Sequence, residues 1–116
     1  MTKMYPNCLI NYSPNFSTYA RTKKNIKYII LHYTGMRSEK MAINRLTDVN
    51  SKVSCHYFIK RNGSIILMVP EIYAAWHAGK SYWKKDKLLN RKSIGIEIAN
   101  KGHDYGYQKF TKKQLN

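Results

Sequence analysis

Six carboxylates, four histidines and two cysteines carry most of the reactive chemistry of this 116-residue chain. Glu97 is the most informative of them. In residues 93–99, Ile94, Ile96 and Ile98 alternate with Gly95, Glu97 and Ala99, the period of a strand with two unlike faces. Burying a carboxylate costs several kcal/mol unless it is paired or keeps its proton. The neighbours of Glu97 on its own face, Ser93, Gly95 and Ala99, are small, which leaves space for a ligand beside the carboxylate. A carboxylate held towards a pocket by a rigid strand is what a general base requires. A buried salt bridge to one of the 21 Lys and Arg residues is the competing reading.

His32 lies in the run Ile26-Lys27-Tyr28-Ile29-Ile30-Leu31-His32-Tyr33, whose β-branched and aromatic content predicts a buried central strand. A single histidine there is either a satisfied core residue or a ligand. Cys55 and His56 are adjacent, so on a strand they point to opposite faces and cannot act together as nucleophile and base. His77 sits in Ala75-Trp76-His77-Ala78-Gly79, where large rings flanked by small residues suit a binding surface. His103 falls in a glycine-containing turn beside Asp104 and reads as solvated.

The elements that must position these groups follow from pattern. Residues 1–25 read as an irregular N-terminal arm and residues 26–116 as one domain. Strands are expected at 26–33, 55–61, 64–69 and 93–99, with Asn62-Gly63 as a hairpin turn. Ser38 is placed to cap a helix running to about residue 49, with Ala42, Leu46 and Val49 on one stripe. Residues 71–90 lack a sustained period and read as a long surface loop. Near the end, Thr111 and Gln114 have the spacing of a capping box, which announces a helix.

The charge is +15, from 21 Lys and Arg against 6 Asp and Glu. Such a surface attracts polyanions. Yet the excess is mostly Lys, and Lys, Asn, Ile and Tyr are enriched together, as an AT-rich genome produces. The aromatics do not interleave with basic residues in the manner of a nucleic-acid reader, so no specific nucleic-acid partner is expected. Two cysteines without CxxC spacing make no disulfide framework. No apolar run approaches a membrane span, and residues 1–15 show no signal-peptide pattern. The expected compartment is the cytoplasm, with periplasmic or secreted location as the alternative; the oligomeric state is not legible.

Four segments in order, LHYTG (31–35), VSCHYFIKRNG (53–63), AWHAG (75–79) and SIGIEIANKGHDYGY (93–107), resemble the zinc-dependent N-acetylmuramoyl-L-alanine amidases. This type-2 amidase family is related to phage lysozyme-like amidases and peptidoglycan recognition proteins. SPNF at 13–16 resembles the arm of its bacterial branch. The resemblance implies an α+β (mixed α/β) fold, a central mixed β-sheet flanked by helices. It implies hydrolysis of the amide between the lactyl group of N-acetylmuramic acid and L-alanine, in peptidoglycan or muropeptides. It also implies roles: His32 as a zinc ligand, Glu97 as the catalytic base, and Trp76 and His77 as groove residues contacting the muropeptide.

The family's two remaining zinc ligands lie in a GHSD-like segment beyond the helix that Thr111 begins, and the chain stops before it. The expectation is therefore a C-terminally truncated member with one Zn²⁺ ligand of three, its last helix missing and one sheet face uncovered. Its function is an amidase by resemblance, or else an inactive remnant or muropeptide-binding module.

Overall fold

A computed structural model describes residues 8–78, 82–83, 86–87, 89–102, 106 and 108–116. His103 and Asp104 lie outside the described residues. In chain order the elements are β1 (Leu9–Ile10), β2 (Phe16–Ala20), β3 (Tyr28–Tyr33), α1 (Glu39–Thr47), β4 (Tyr57–Ile59), β5 (Ile65–Leu67), β6 (Tyr73–Ala75), β7 (Tyr82–Trp83), β8 (Asp86–Lys87), α2 (Leu89–Lys92), β9 (Ser93–Ile98) and α3 (Lys112–Leu115). The fold is α+β. Its main sheet has five strands in the order β1-β5-β4-β9-β3. The β1–β5, β4–β9 and β3–β9 pairs are parallel and β4–β5 is antiparallel, so the sheet is mixed.

The hairpin forms where Asn62-Gly63 places it. Gly63 has φ +88°, a conformation that favours glycine, and a Cβ there would meet the Lys113 carbonyl oxygen at 2.8 Å. Ser38 caps α1, its Oγ accepting from the Met41 N–H at 3.1 Å. The helix ends at Thr47 with Asp48 as its C-cap, two residues short of expectation, and Val49 is exposed. The capping box at α3 is present: Thr111 Oγ accepts from Gln114 N–H and Gln114 Oε1 accepts from Thr111 N–H. Gln114 Nε2 then donates to the Ala99 carbonyl at 2.8 Å, which ties this turn to the end of β9.

Three local expectations change. The run at 26–33 forms β3, but at the outer edge of the sheet rather than its centre. Its burial alternates, with Ile29 67% and Leu31 62% exposed. An apolar run signals a strand, whereas its place in the sheet depends on which partners pair with it. The arm read as irregular supplies β1, at the opposite edge, and β2, which pairs with β6 across a register shift between Ser17 and Ala20. The stretch read as a surface loop contains β6, with Ala74 and Ala75 buried. Three-residue strands are too short to show a period, and their pairing is settled by distant segments.

α1 covers one face of the sheet. Ala42 and Leu46 pack there against Cys55, Phe58, Ile66, Met68 and Ala99. The arm fastens the far end of this helix. Ser13 Oγ donates to the Leu46 carbonyl, and Asn15 Nδ2 donates to the carbonyls of Asp48 and Val53, each at 2.9 Å. These bonds satisfy backbone carbonyls at and just beyond the helix end, which lack intrahelical partners. The opposite face is apolar, with Ile29 and Leu31 exposed and Ile94, Ile96, Tyr57, Ile59 and Ile65 partly buried.

Candidate active site

Parallel pairing sets His32 opposite Glu97 and Ile30 opposite Gly95, while β4 sets Phe58 opposite Glu97 from the other side. Residues paired across strands share a face, so His32, Gly95 and Glu97 all lie on the α1 side of the sheet. A cleft of about 340 Å³ opens there. Its walls include Thr34, Arg45, Ser54, Trp76, His77 and Glu97.

Glu97 is the electrostatic centre of the cleft. Its Oε2 is buried and has no hydrogen-bond partner among the described residues. Burial pushes its carboxyl pKa up to about 7, because the charged form loses water without gaining a compensating bond. Among the described residues no salt bridge to Glu97 supports the buried-salt-bridge alternative, and burial is the cause of the shift.

The histidines divide into two kinds. His56 is fully buried. Its Nδ1 accepts from the Gly95 N–H at 3.0 Å, so Nε2 carries the proton and donates to the Tyr73 carbonyl at 2.7 Å. Arg21 Nη2 lies 3.0 Å from that nitrogen. Burial, opposed by the Tyr73 bond and reinforced by Arg21, lowers the His56 pKa to about 4. It is a neutral structural residue.

His77 and His32 form the second kind. His77 Nδ1 lies 3.0 Å from His32 Nε2, and His77 Nε2 lies 3.0 Å from Ser93 Oγ. Burial, with smaller contributions from His32, His56 and Arg21, lowers the His77 pKa to about 3. Burial also lowers that of His32. The His77 ring lies against Gly95, where a Cβ would sit 2.3 Å from its Cγ. Glycine is thus required for close approach of a ring to the strand.

The Trp76-His77-Ala78 segment is fastened from two sides. Trp76 N–H donates to Ser54 Oγ at 2.9 Å and its indole N–H to Ser17 Oγ at 3.1 Å. The His77 and Ala78 N–H groups both donate to Asn90 Oδ1, at 3.1 and 2.8 Å. Of the residues that sequence reasoning brought out, Trp76, His77 and Glu97 line one cleft, and His32 stands behind them against His77. It did not bring out Ser54 or Asn90, and it read Ser93 only as a small neighbour of Glu97. Small polar residues give no periodic signal, and their partners lie 12 to 22 residues away.

The N-acetylmuramoyl-L-alanine amidase family matches residues 22–116. The chain belongs to that family. Among similar proteins, the N-acetylmuramoyl-L-alanine amidase AmiD of Escherichia coli K12 is 40% identical over 84 residues, 66% of this chain and 29% of the relative. The 1,6-anhydro-N-acetylmuramyl-L-alanine amidase AmpD of the same organism is 45% identical over 47 residues, 40% of this chain and 26% of that protein. The chain therefore spans less than a third of the length of either of these curated relatives.

Solved amidase structures agree with the fold. A crystal structure of AmpD superposes with a TM-score of 0.75 at 25% identity, covering 97% of this chain and 71% of that one. The complex of E. coli AmiD with anhydro-N-acetylmuramic acid-L-Ala-D-γ-Glu-L-Lys superposes with a TM-score of 0.67 at 36% identity, covering 78% of this chain and 39% of that one. The α+β architecture expected of an amidase is thus the one observed.

Proposed function

We propose that this chain carries the base and groove of an N-acetylmuramoyl-L-alanine amidase, a hydrolase of cell-wall peptidoglycan or muropeptides. The observation that carries the reading is Glu97, whose carboxylate has one buried oxygen without a hydrogen-bond partner among the described residues, on the wall of a cleft about 340 Å³ in volume. The substrate-bound AmiD structure supports muropeptide as the ligand class. In this reading Trp76 and His77 line the groove that receives the muropeptide, and Arg45 supplies positive charge to the cleft wall. Glu97 accepts the proton of the water that attacks the lactyl–L-alanine amide. A carboxyl with a pKa near 7 is suited to accept a proton and release it again near neutral pH.

Zinc is the cofactor that the resemblance implies, with His32 as the donor that carries over. The described residues do not fit a complete zinc site. Among them no three His, Cys, Asp or Glu side chains are grouped so as to hold a metal, and a catalytic zinc requires three protein ligands.

The test is release of the peptide from an N-acetylmuramoyl-L-alanyl peptide, followed by chromatography with and without added Zn²⁺, for the chain and its Glu97→Gln variant. Turnover that falls about 10²- to 10⁴-fold in the variant supports the reading. Muropeptide binding without turnover under any of these conditions would instead make the chain a binding module. No binding at all would refute both.

A further inference from the structure

We propose that Ser93 and His77 form a positioning relay that holds His32 with its proton on Nε2 and leaves Nδ1 as the ring's open lone pair. The proposal deepens the amidase reading and rests on it for the use of His32, though not for the direction of the protons.

That direction follows from the chemistry of the chain's own atoms. The Leu89 carbonyl is only an acceptor, and Ser93 Oγ lies 2.6 Å from it. The single hydroxyl proton of Ser93 is therefore directed at Leu89. Towards His77 the same oxygen is an acceptor, so His77 Nε2, 3.0 Å away, carries a proton. A neutral imidazole has one N–H, and for His77 it is the one that Ser93 Oγ accepts. His77 Nδ1 is then a lone pair. His32 Nε2, 3.0 Å from it, is the donor, and His32 Nδ1 remains without a proton.

Each member is fixed by the fold. Leu89 and Ser93 stand four residues apart, where α2 runs directly into β9. The backbone N–H groups of His77 and Ala78 are held by Asn90 of the same short helix. Gly95 gives the His77 ring its room. The second ring nitrogen of a histidine, fixed by a fixed acceptor, selects the tautomer that the first nitrogen presents. By this relay His77 acts as a positioning residue for His32, in addition to lining the groove.

The experiment is nitrogen-15 NMR of the full, chelator-treated chain, observing the scalar coupling across the N–H···N bond between His32 and His77. The expected result is coupling between His32 Nε2 and His77 Nδ1 with the proton attached to His32. A proton attached to His77 Nδ1, or no coupling between these two nitrogens, overturns the proposal. In Ser93→Ala the His77 Nε2 proton should exchange with water about tenfold faster, the loss of one hydrogen bond worth about 1.4 kcal/mol, with the amide spectrum otherwise retained. Unchanged exchange in a folded variant would remove Ser93 from the relay. Neither readout involves substrate, so failure of the amidase reading leaves both results as they are, and a misplaced proton leaves the amidase reading standing.

Discussion

The two faces of the main sheet are built from the same strands and have opposite characters. On the α1 side, β3 and β9 present His32, Gly95 and Glu97, and the polar groups are partly buried beside the cleft, His32 against His77. On the other side the same strands present Ile29, Leu31, Ile94 and Ile96, and two of these are more than 60% exposed. The apolar face has its most exposed side chains on β3, whereas the chemically loaded face is partly covered and holds the cleft. Burial therefore does not follow hydrophobicity strand by strand; it follows which elements the chain has to lay over each face. On the α1 side the price of burial appears as a displaced pKa rather than as a salt bridge.

Substitutions on each face test that contrast. The largest effect is expected for Glu97→Gln. Where turnover is measured it should fall about 10²- to 10⁴-fold, and the wild-type rate should rise with pH through about 7 as Glu97 loses its proton. Stability should move the opposite way. The folded pKa is raised above the unfolded value of 4.5, so Glu97's favourable contribution is fully present below about pH 4.5 and is lost as pH rises through 7. The penalty is on the order of 3 kcal/mol, and Glu97→Gln should relieve it above pH 7. Thermal melts at pH 5 and pH 8 check this. A variant no more stable than wild type at pH 8 would mean that the carboxylate is better solvated than its burial indicates.

Leu46→Ala should be the next largest. It removes a buried side chain from the α1 side, at a cost of about 2–5 kcal/mol in urea unfolding. Gly95→Ala should follow at about 1–3 kcal/mol, because the added methyl meets the His77 ring at 2.3 Å. The same variant should disturb the His32–His77 coupling, while the equivalent change on an apolar-face position of β9 would not. Leu31→Thr, on the apolar face of β3, should change stability by no more than about 0.5 kcal/mol. A loss comparable with Leu46→Ala would show that the apolar face is covered in solution.

Much of this organisation was legible before the fold was known. The period-two pattern around Glu97 identified its strand and which residues share its face, since alternation is a local consequence of strand geometry. Asn62-Gly63 announced its hairpin for the same reason. The short strands β1, β2 and β6 were not legible, and neither was the edge position of β3. Each depends on pairing between segments far apart in the chain, as with Phe16 and Ala75.

The sequence alone determined the family resemblance, the candidate roles of His32 and Glu97, and the strand and turn signals that place them, because residue type and short-range spacing carry that information. It took three-dimensional packing to leave Glu97 Oε2 without a partner among the described residues, to bring His77 to His32 and to set Ser93 behind His77. Those facts are sums of contacts between β3, β6, α2 and β9. A hydrogen bond across 45 residues, as between His32 and His77, has no signature in the local order of the chain; it exists only once β3 has paired with β9 and the segment after β6 has laid the His77 ring against Gly95.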